Sequence, residues 1–393
     1  MKNTKLAIKI IITLPLILVF LLISPNLGFS QEPLKVGVLI PFTGRWGDSG
    51  RECARGMLDA GKWANQLGGI YGKKLEMILI DDTSQPAEFI AAFRKLNEAD
   101  RILLLYIHSV ETFLALERYI HLNRIPTLTG SFPSSLADAS KHPYLFSIAP
   151  TPLDLSKIAM KFISERSDIK TGRPKVVFVG SPDYTGRHFL EGVKNYAKAL
   201  TLDIGPDIWI SDHSSAEKTA SPLGPLKSFN PDFAYLSLSS KGTLSLLQEA
   251  RETGLKNKWI SSMRAFDENL SAFNGVFGVQ PVSPFGEDVP GMAEIREAHQ
   301  KWHPYDSHTL AYVEGWITVK VITETLGRAL LEQGFSRERV KLAFESFRNY
   351  IVGGLLPPLT ITATDHRPSV ESRIFVVKEG KLSRQTGFIS IGR

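Results

Sequence analysis

A doubly wound α/β architecture in two lobes is predicted by three observations. Apolar runs alternate with helix-length stretches from residue 34 to about residue 261. The first of these units, 34–82, carries a glycine-rich loop at the end of its opening apolar run. The rhythm is broken three times, at 147–152 (SIAPTP), 273–288 (FNGVFGVQPVSPFGED) and 353–358 (GGLLPP). Alternating strands and helices imply mainly parallel sheets covered on both faces. A chain of this length is expected to divide into two domains. Three breaks then read as three crossings between lobes, which make a hinge with a cleft.

The opening unit reads LKVGVLIPFTGRWGDSGRECARGMLDAGKWANQLGGIYGKKLEMILIDD. Residues 36–40 form the first strand. The loop with Gly44, Gly47 and Gly50 leads into a helix over about 51–66, and Gly68, Gly69 and Gly72 make the turn into a second strand ending at Asp81-Asp82. Ligands of open α/β sheets sit beyond the carboxyl ends of the strands, so function is expected to begin at 43–49. Further strands are expected at 102–107, 126–128, 175–179, 207–210, 233–238 and 258–261. Helices are expected at 87–98, 110–122, 152–166, 186–199 and 241–253, and after the second break at 294–302, 309–333 and 337–347. The tail, LTITATD followed by RIFVVKEGKL with its Glu379-Gly380 turn, reads as β. One lobe is therefore expected to comprise 31–149 with about 280–352, and the other 150–279 with about 353–393. No short-period repeat argues for a solenoid.

Residues 1–30 carry Lys2, Lys5 and Lys9, no acid, an apolar run over 10–23, and small residues at Gly28 and Ser30. This pattern predicts a cleaved secretory signal. The run is short for a span of roughly 20 residues and Pro15 interrupts it. The single cysteine, Cys53, lies well past the cleavage site, so no lipid anchor is expected and the protein is placed free in a periplasm. Cleavage lowers the formal charge from +6 to +3, too mild for a nucleic-acid partner. One cysteine allows no internal disulfide, and Cys53 is expected to face the core.

Rival chemistries find little support. Gly44-x-x-Gly47-x-x-Gly50 is not G-x-G-x-x-G, because Arg45-Trp46 fills the space where backbone must approach a pyrophosphate. No Gly-rich loop carries G-K-[ST], and no G-x-S-x-G nucleophile elbow occurs. His299, His303 and His308 lie close together, but Pro304 ends their helix and no H-E-x-x-H occurs, so a solvated helix end is expected rather than a metal site. The sequence predicts no enzyme, no cofactor and no metal.

The order and spacing of several segments resemble the periplasmic substrate-binding proteins of branched-chain amino acid (Leu/Ile/Val-binding) ABC transporters, which have the type I periplasmic binding protein fold. The segments are KVGVLIPFTGRWGDSGRECARGMLDA, NQLGGIYGKKLEMILIDD, IPTLTGS, SPDYTGRHFLEGVKNYAK, PDFAYLSL with QEARETGLKNKWI, and GGLLPPLTITATDHRPSVESRIFVVKEGKL, together nearly the whole mature chain. The resemblance implies two Rossmann-like lobes on a three-segment hinge. It also implies a ligand wall at Trp46, a serine for the ligand carboxylate at Ser109, a small-residue loop for the same carboxylate at Gly130 and Ser131, and a second-lobe tyrosine at Tyr184. Loop N–H groups and hydroxyls at helix N-termini suit an anion, and an aromatic wall supplies apolar area.

The departures are as informative. Where the family's amino-acid binders place an acid for the ligand ammonium, this chain has Met263 followed by Arg264, and a further tyrosine position falls on Ser239. A buried ammonium without a counter-ion is costly. Either Asp267, Asp288 or Glu314 supplies that charge, or the ligand is an amine-free carboxylate with an apolar or aromatic body. The family's first-lobe disulfide has Ser84 and His108 near its positions. Each site residue also has a plainer reading: Ser109 as a helix N-cap, Gly130 as a turn, Tyr184 as hinge packing, Arg264 as a solvent-facing partner of Asp267. The expected function is a monomeric transport receptor that binds a small molecule in the cleft and docks on an inner-membrane ABC permease. A periplasmic sensor built from the same lobes is the alternative.

Overall fold

The computed structural model describes residues 32–44, 47–83, 86–166, 172–181, 190–210, 223–332 and 335–393. The first sheet is built from β1 (Leu34–Ile40), β2 (Leu75–Asp81), β3 (Leu104–Ile107), β4 (Thr127–Thr129) and β5 (Leu145–Ser147), all parallel, in the order β2-β1-β3-β4-β5. Three helices connect them: α1 (Gly47–Gln66), α2 (Pro86–Arg94), continued by a π turn over Lys95–Ala99, and α3 (Val110–Asn123). Period-2 alternation divides the sheet between two cores. Val36, Val38 and Ile40 join Tyr106 and Leu128 on one face. Leu39, Leu105 and Ile107 pack on the other against Phe89, Phe93, Phe113 and Leu116 of α2 and α3.

After β5 the chain crosses to a second sheet. α4 (Pro152–Ser164) follows, opened by Thr151, whose hydroxyl accepts from Asp154 N. Then come β6 (Lys175–Gly180), α5 (Leu190–Ala199), β7 (Asp203–Ile204), β8 (Ile208–Trp209), α6 (Leu223–Phe229), β9 (Phe233–Ser237), α7 (Ser240–Glu252), β10 (Lys258–Ser261) and β11 (Phe277–Gln280). A second crossing at 281–291 returns the chain to the first sheet's side as α8 (Met292–Trp302), α9 (Leu310–Leu331) and α10 (Arg337–Glu345). A third, at 346–370, leads to β12 (Glu371–Lys378), β13 (Lys381–Arg384) and β14 (Ile389–Ser390). The second sheet runs β13-β12-β11-β10-β9-β6-β7, with β8 on β6 and β14 on β12. Its β6–β11 portion is parallel; β12 joins β11 antiparallel. Both sheets thus reverse direction at an inner strand, β1 in the first and β6 in the second.

The predicted α/β class and the three crossings agree with this architecture, and Cys53 is fully buried as expected. Several boundaries differ for local reasons. Arg101 takes a left-handed φ of 56°, so the strand expected from 102 begins at Leu104. β5 is three residues long, below the reach of a periodicity reading. β11 lies inside a stretch whose glycines and prolines read as loop. Gly278 is needed there because the Phe266 ring fills the space of a Cβ. The end of the histidine-rich helix is solvent-exposed over 304–308, as expected, while His299 one turn earlier is buried against Phe285 at 5.1 Å and Tyr312 at 5.2 Å between ring centroids.

A close approach in the first lobe joins α1 and α9. A Cβ on Gly56 would overlap the Tyr312 carbonyl oxygen, and a Cβ on Gly315 would overlap the Cys53 carbonyl oxygen. The two helices therefore meet backbone to backbone, each through a glycine of its own. Gly315→Ala is predicted to destabilise the protein by about 1–3 kcal/mol through overpacking, read as a lower denaturant midpoint. An unchanged midpoint would mean the helices separate without cost.

Candidate functional site

The carboxyl ends of β1, β3 and β4 and those of β9, β10 and β11 carry the residues singled out by the sequence. In the first sheet, β1 pairs with both β2 and β3, so the chain leaves β1 and β3 in opposite directions and opens a crevice there. His108 and Ser109 follow β3 into that crevice. Ser109 is the N-cap of α3: its Oγ accepts from Thr112 N at 3.1 Å and lies 2.7 Å from Thr112 Oγ1. Thr112 in turn donates to Asp82 Oδ2 at 3.0 Å. Asp82 is 1 % exposed, and its carboxylate stands near the positive end of α3.

Gly130 and Ser131 follow β4 and are buried. The Ser131 hydroxyl donates to the Pro150 carbonyl at 2.9 Å, which ties this loop to the first crossing. A Cβ on Gly130 would fall against Oε1 of Glu314, which reaches over from α9. Beneath these groups runs a buried polar chain. Tyr106 Oη lies 3.8 Å from Cys53 Sγ and 3.3 Å from His108 Nδ1.

The opposite wall comes from the second sheet. Ser239 caps α7, accepting from Gly242 N at 3.1 Å. After β10 a single 3-10 turn, Met263–Ala265, presents Arg264. Met263 is buried in the lobe core, while the Arg264 side chain is exposed. Gln280, at the end of β11 and fully buried, holds the turn: its Nε2 donates to Met263 O at 3.1 Å and to Phe266 O at 3.2 Å. Asp267 accepts from Asn269 N at 3.0 Å, and Glu268 reaches across to accept from Leu310 N at the start of α9 at 3.1 Å.

The hydrogen bond from Leu310 N to Glu268 joins the two walls, and the charge of Arg264 bears on groups of the first. Burial, reinforced by the Arg264 charge, holds the His108 imidazole down at about 3. Burial raises the Glu314 carboxyl above the usual carboxylate range, and Arg264 opposes that rise. Burial, then the Glu314 charge, pushes the Cys53 thiol well up. Arg264, on the second lobe, thus acts on groups of the first. Among the three acids that were alternatives for a ligand counter-ion, Asp288 is exposed in the second crossing and Asp267 is spent on a cap; Glu314 lies at the crevice.

The structure therefore brings Ser109, Gly130, Ser131, Met263 and Arg264 to the strand ends, with Ser239 on the neighbouring second-lobe strand. Trp46, Tyr184 and Ser84 lie outside the described residues. Sequence reasoning missed His108 as a wall residue and Gln280 as the clamp of the Arg264 turn. A polar residue closing an apolar VFGVQ run was the available signal for the second. Among the described residues no cluster of His, Cys, Asp or Glu could hold a metal ion.

The fold is thus of the doubly wound α/β class, with polar loops at the strand ends of both sheets. A sequence profile of periplasmic binding proteins matches residues 33–381, and the chain belongs to that family, whose members are solute-binding proteins rather than enzymes. The Leu/Ile/Val-binding protein of Citrobacter freundii is 23% identical over 252 residues, 64% of this chain and 66% of that one. The chain thus spans just under two thirds of that relative's length. Among solved structures, a fatty acid ABC transporter substrate-binding protein from Thermomonospora curvata superposes with a TM-score of 0.79 at 21% identity, covering 91% of this chain and 92% of that one. A branched chain amino acid ABC transporter protein from Thermus thermophilus with bound valine superposes with a TM-score of 0.78 at 20% identity, covering 92% and 97%. At these identities the structural likeness establishes the fold alone.

A histidine whose folded-state value lies near 3 makes folding sensitive to mild acid. Below its unfolded value near 6.5 the unfolded chain takes up a proton that the folded chain refuses, so stability falls with pH by up to about 1.4 kcal/mol per unit. His108→Gln is predicted to remove about 2 kcal/mol of the stability difference between pH 7 and pH 5. Denaturant titrations of both proteins at the two pH values read this directly; parallel losses would contradict a neutral, buried His108.

Proposed function

We propose that this chain is the extracytoplasmic solute-binding protein of an ABC importer. It takes a small amino acid or other carboxylate-bearing ligand into the cleft and delivers it to an inner-membrane permease. The observation that carries the ligand class is Arg264, an exposed residue on a turn clamped by Gln280, whose charge bears on His108 and Glu314 of the first lobe. A guanidinium binds a carboxylate with charge-assisted and often paired hydrogen bonds. The family membership and the likeness in name of the matched proteins to amino-acid and fatty-acid receptors support the same reading.

In this reading residues 31–149 with about 280–352 form one lobe and 150–279 with about 353–393 the other. They close on the ligand by hinge motion, because a ligand touching both walls favours the closed state. Ser109, Gly130, Ser131, Ser239 and Arg264 line the cleft, Met263 anchors the Arg264 turn in the lobe core, and the family resemblance adds Trp46 and Tyr184. The protein works as a monomer in the periplasm after loss of residues 1–30. No cofactor takes part.

Arg264→Ala is predicted to weaken binding of whichever carboxylate the wild type binds by about 10- to 100-fold, the range of a charged hydrogen bond at 1.5–3 kcal/mol. A thermal-shift panel of aliphatic and aromatic amino acids and amine-free acids finds the ligand, and calorimetry on both proteins measures the loss. Equal affinity in wild type and variant would remove the ionic role of Arg264.

A further inference from the structure

Away from the three crossings, a side chain of the second lobe bonds directly to the first. Glu268 opens a 3-10 turn, Glu268–Ala272, that follows β10, and its carboxyl accepts from Leu310 N at 3.1 Å. Leu310 is the first residue of α9, directly after the N-cap Thr309. The first N–H groups of a helix have no partner within it, so this bond satisfies a donor of one lobe with an acceptor of the other. Both ends are held in place by their own lobes. On the second lobe, Leu270 is fully buried in the core, Asp267 accepts from Asn269 N at 3.0 Å, and Asn269 Nδ2 donates to Ser240 Oγ of α7 at 3.3 Å. On the first, Thr309 Oγ1 accepts from Tyr312 N at 3.1 Å and donates to Glu52 Oε2 of α1 at 3.0 Å.

We propose that Glu268 is a proton-linked latch between the lobes: seated on the N-terminus of α9 it stabilises their joined arrangement, and opening the cleft breaks it. The latch rests on the reading of two lobes that move about the crossings, and on no particular ligand. The charged groups that face Glu268 are Asp267 of its own segment and Glu52 of α1. Glu52 pairs with Arg55, which also pairs with Asp306 on the approach to α9. His308, on the same approach, is stacked on Phe285 at 4.0 Å between ring centroids. Burial raises the Glu268 carboxyl above the usual glutamate value; the N–H groups of Glu268 and Leu310 oppose that rise, and the Asp267 and Glu52 charges add to it. When the lobes part, the carboxyl meets water and loses the cause of its rise. The joined lobes therefore hold the Glu268 proton more tightly than the parted ones. The contribution to closure is complete below the ordinary glutamate value of about 4.3 and is lost as pH rises through the raised value of the joined state. Mild acid favours closure, and raising the pH favours opening.

The test is the distance between spin labels at Ala115→Cys in α3 and Ser245→Cys in α7, exposed positions on opposite lobes, in the mature protein with no ligand added, at pH 5 and pH 8. Wild type is expected to show more of the short distance at pH 5 than at pH 8. The ratio of closed to open molecules changes by up to about tenfold for each unit by which joining raises the carboxyl. Glu268→Ala should move the distribution to longer distances at both pH values and remove the pH response. Glu268→Gln keeps an acceptor oxygen and cannot ionise, so it should hold the pH 5 distribution at both, and it serves if Glu268→Ala melts early. A pH response that survives in Glu268→Gln would overturn the latch. So would a distance that L-leucine or 3-phenylpropanoate shortens but that does not differ between wild type and Glu268→Ala, an outcome that leaves the receptor reading standing. If no variant, pH or probe moves the distance, both fall together.

Discussion

The contact on which the site depends is the one between α1 and α9. Two glycines in register, Gly56 and Gly315, allow carbonyl oxygens of each helix to stand where side chains would otherwise be. That approach sets where the backbone of each helix stands. Cys53, one turn before Gly56, is brought under Tyr106. Tyr312 is brought to Asp59, to which its hydroxyl donates at 2.8 Å. Glu314, immediately before Gly315, is held over Gly130. The start of α9 is placed where Glu268 of the second lobe reaches Leu310 N. A helix held less closely would leave the acid of the first wall with no defined position.

The crossings between lobes are hydrogen-bonded to one another rather than loose. Ser283 N donates to Leu355 O at 2.9 Å and Gly291 N to Gly353 O at 2.9 Å, which joins the second crossing to the third. Arg373 of β12, 3 % exposed, donates to Ser283 Oγ at 2.9 Å and to Gly354 O at 3.1 Å. The third crossing also returns to the first sheet: His366 Nδ1 lies 2.8 Å from Leu145 O, and its ring is 4.2 Å from that of Phe146. Gly353, at a φ of 55°, packs directly on Gly291. Such a hinge concentrates motion in a few backbone torsions while each lobe moves as a packed body.

Much of the architecture was legible in the sequence because strongly periodic segments decide it. The 34–82 unit, the α3, α7 and α9 helices, and β9 and β10 were located to within a few residues. What escaped was short or set by distant contacts. β5 has only three residues, and β11 is disguised by Gly278, which is glycine because of Phe266, twelve positions earlier and in a different element. The burial of His299 depends on Phe285 and Tyr312, which no local pattern links to it. The site was legible in part. Arg264 stood out as a departure from the expected acid, and Glu314 was one of three acids that spacing could not separate. The fold distinguishes them, because only the close packing of α9 on α1 carries Glu314 to the loop after β4.

The central claim is that the ligand draws the two walls together. The most direct measurement is the distance between a spin label in α3, at Ala115→Cys, and one in α7, at Ser245→Cys, both exposed positions on opposite lobes, with buried Cys53 left in place. On closure the distance distribution shifts to shorter values and narrows when the tightest-binding ligand is added, and the shift fails in the Arg264→Met variant. An unchanged distribution at saturating ligand would contradict a receptor that closes on its ligand.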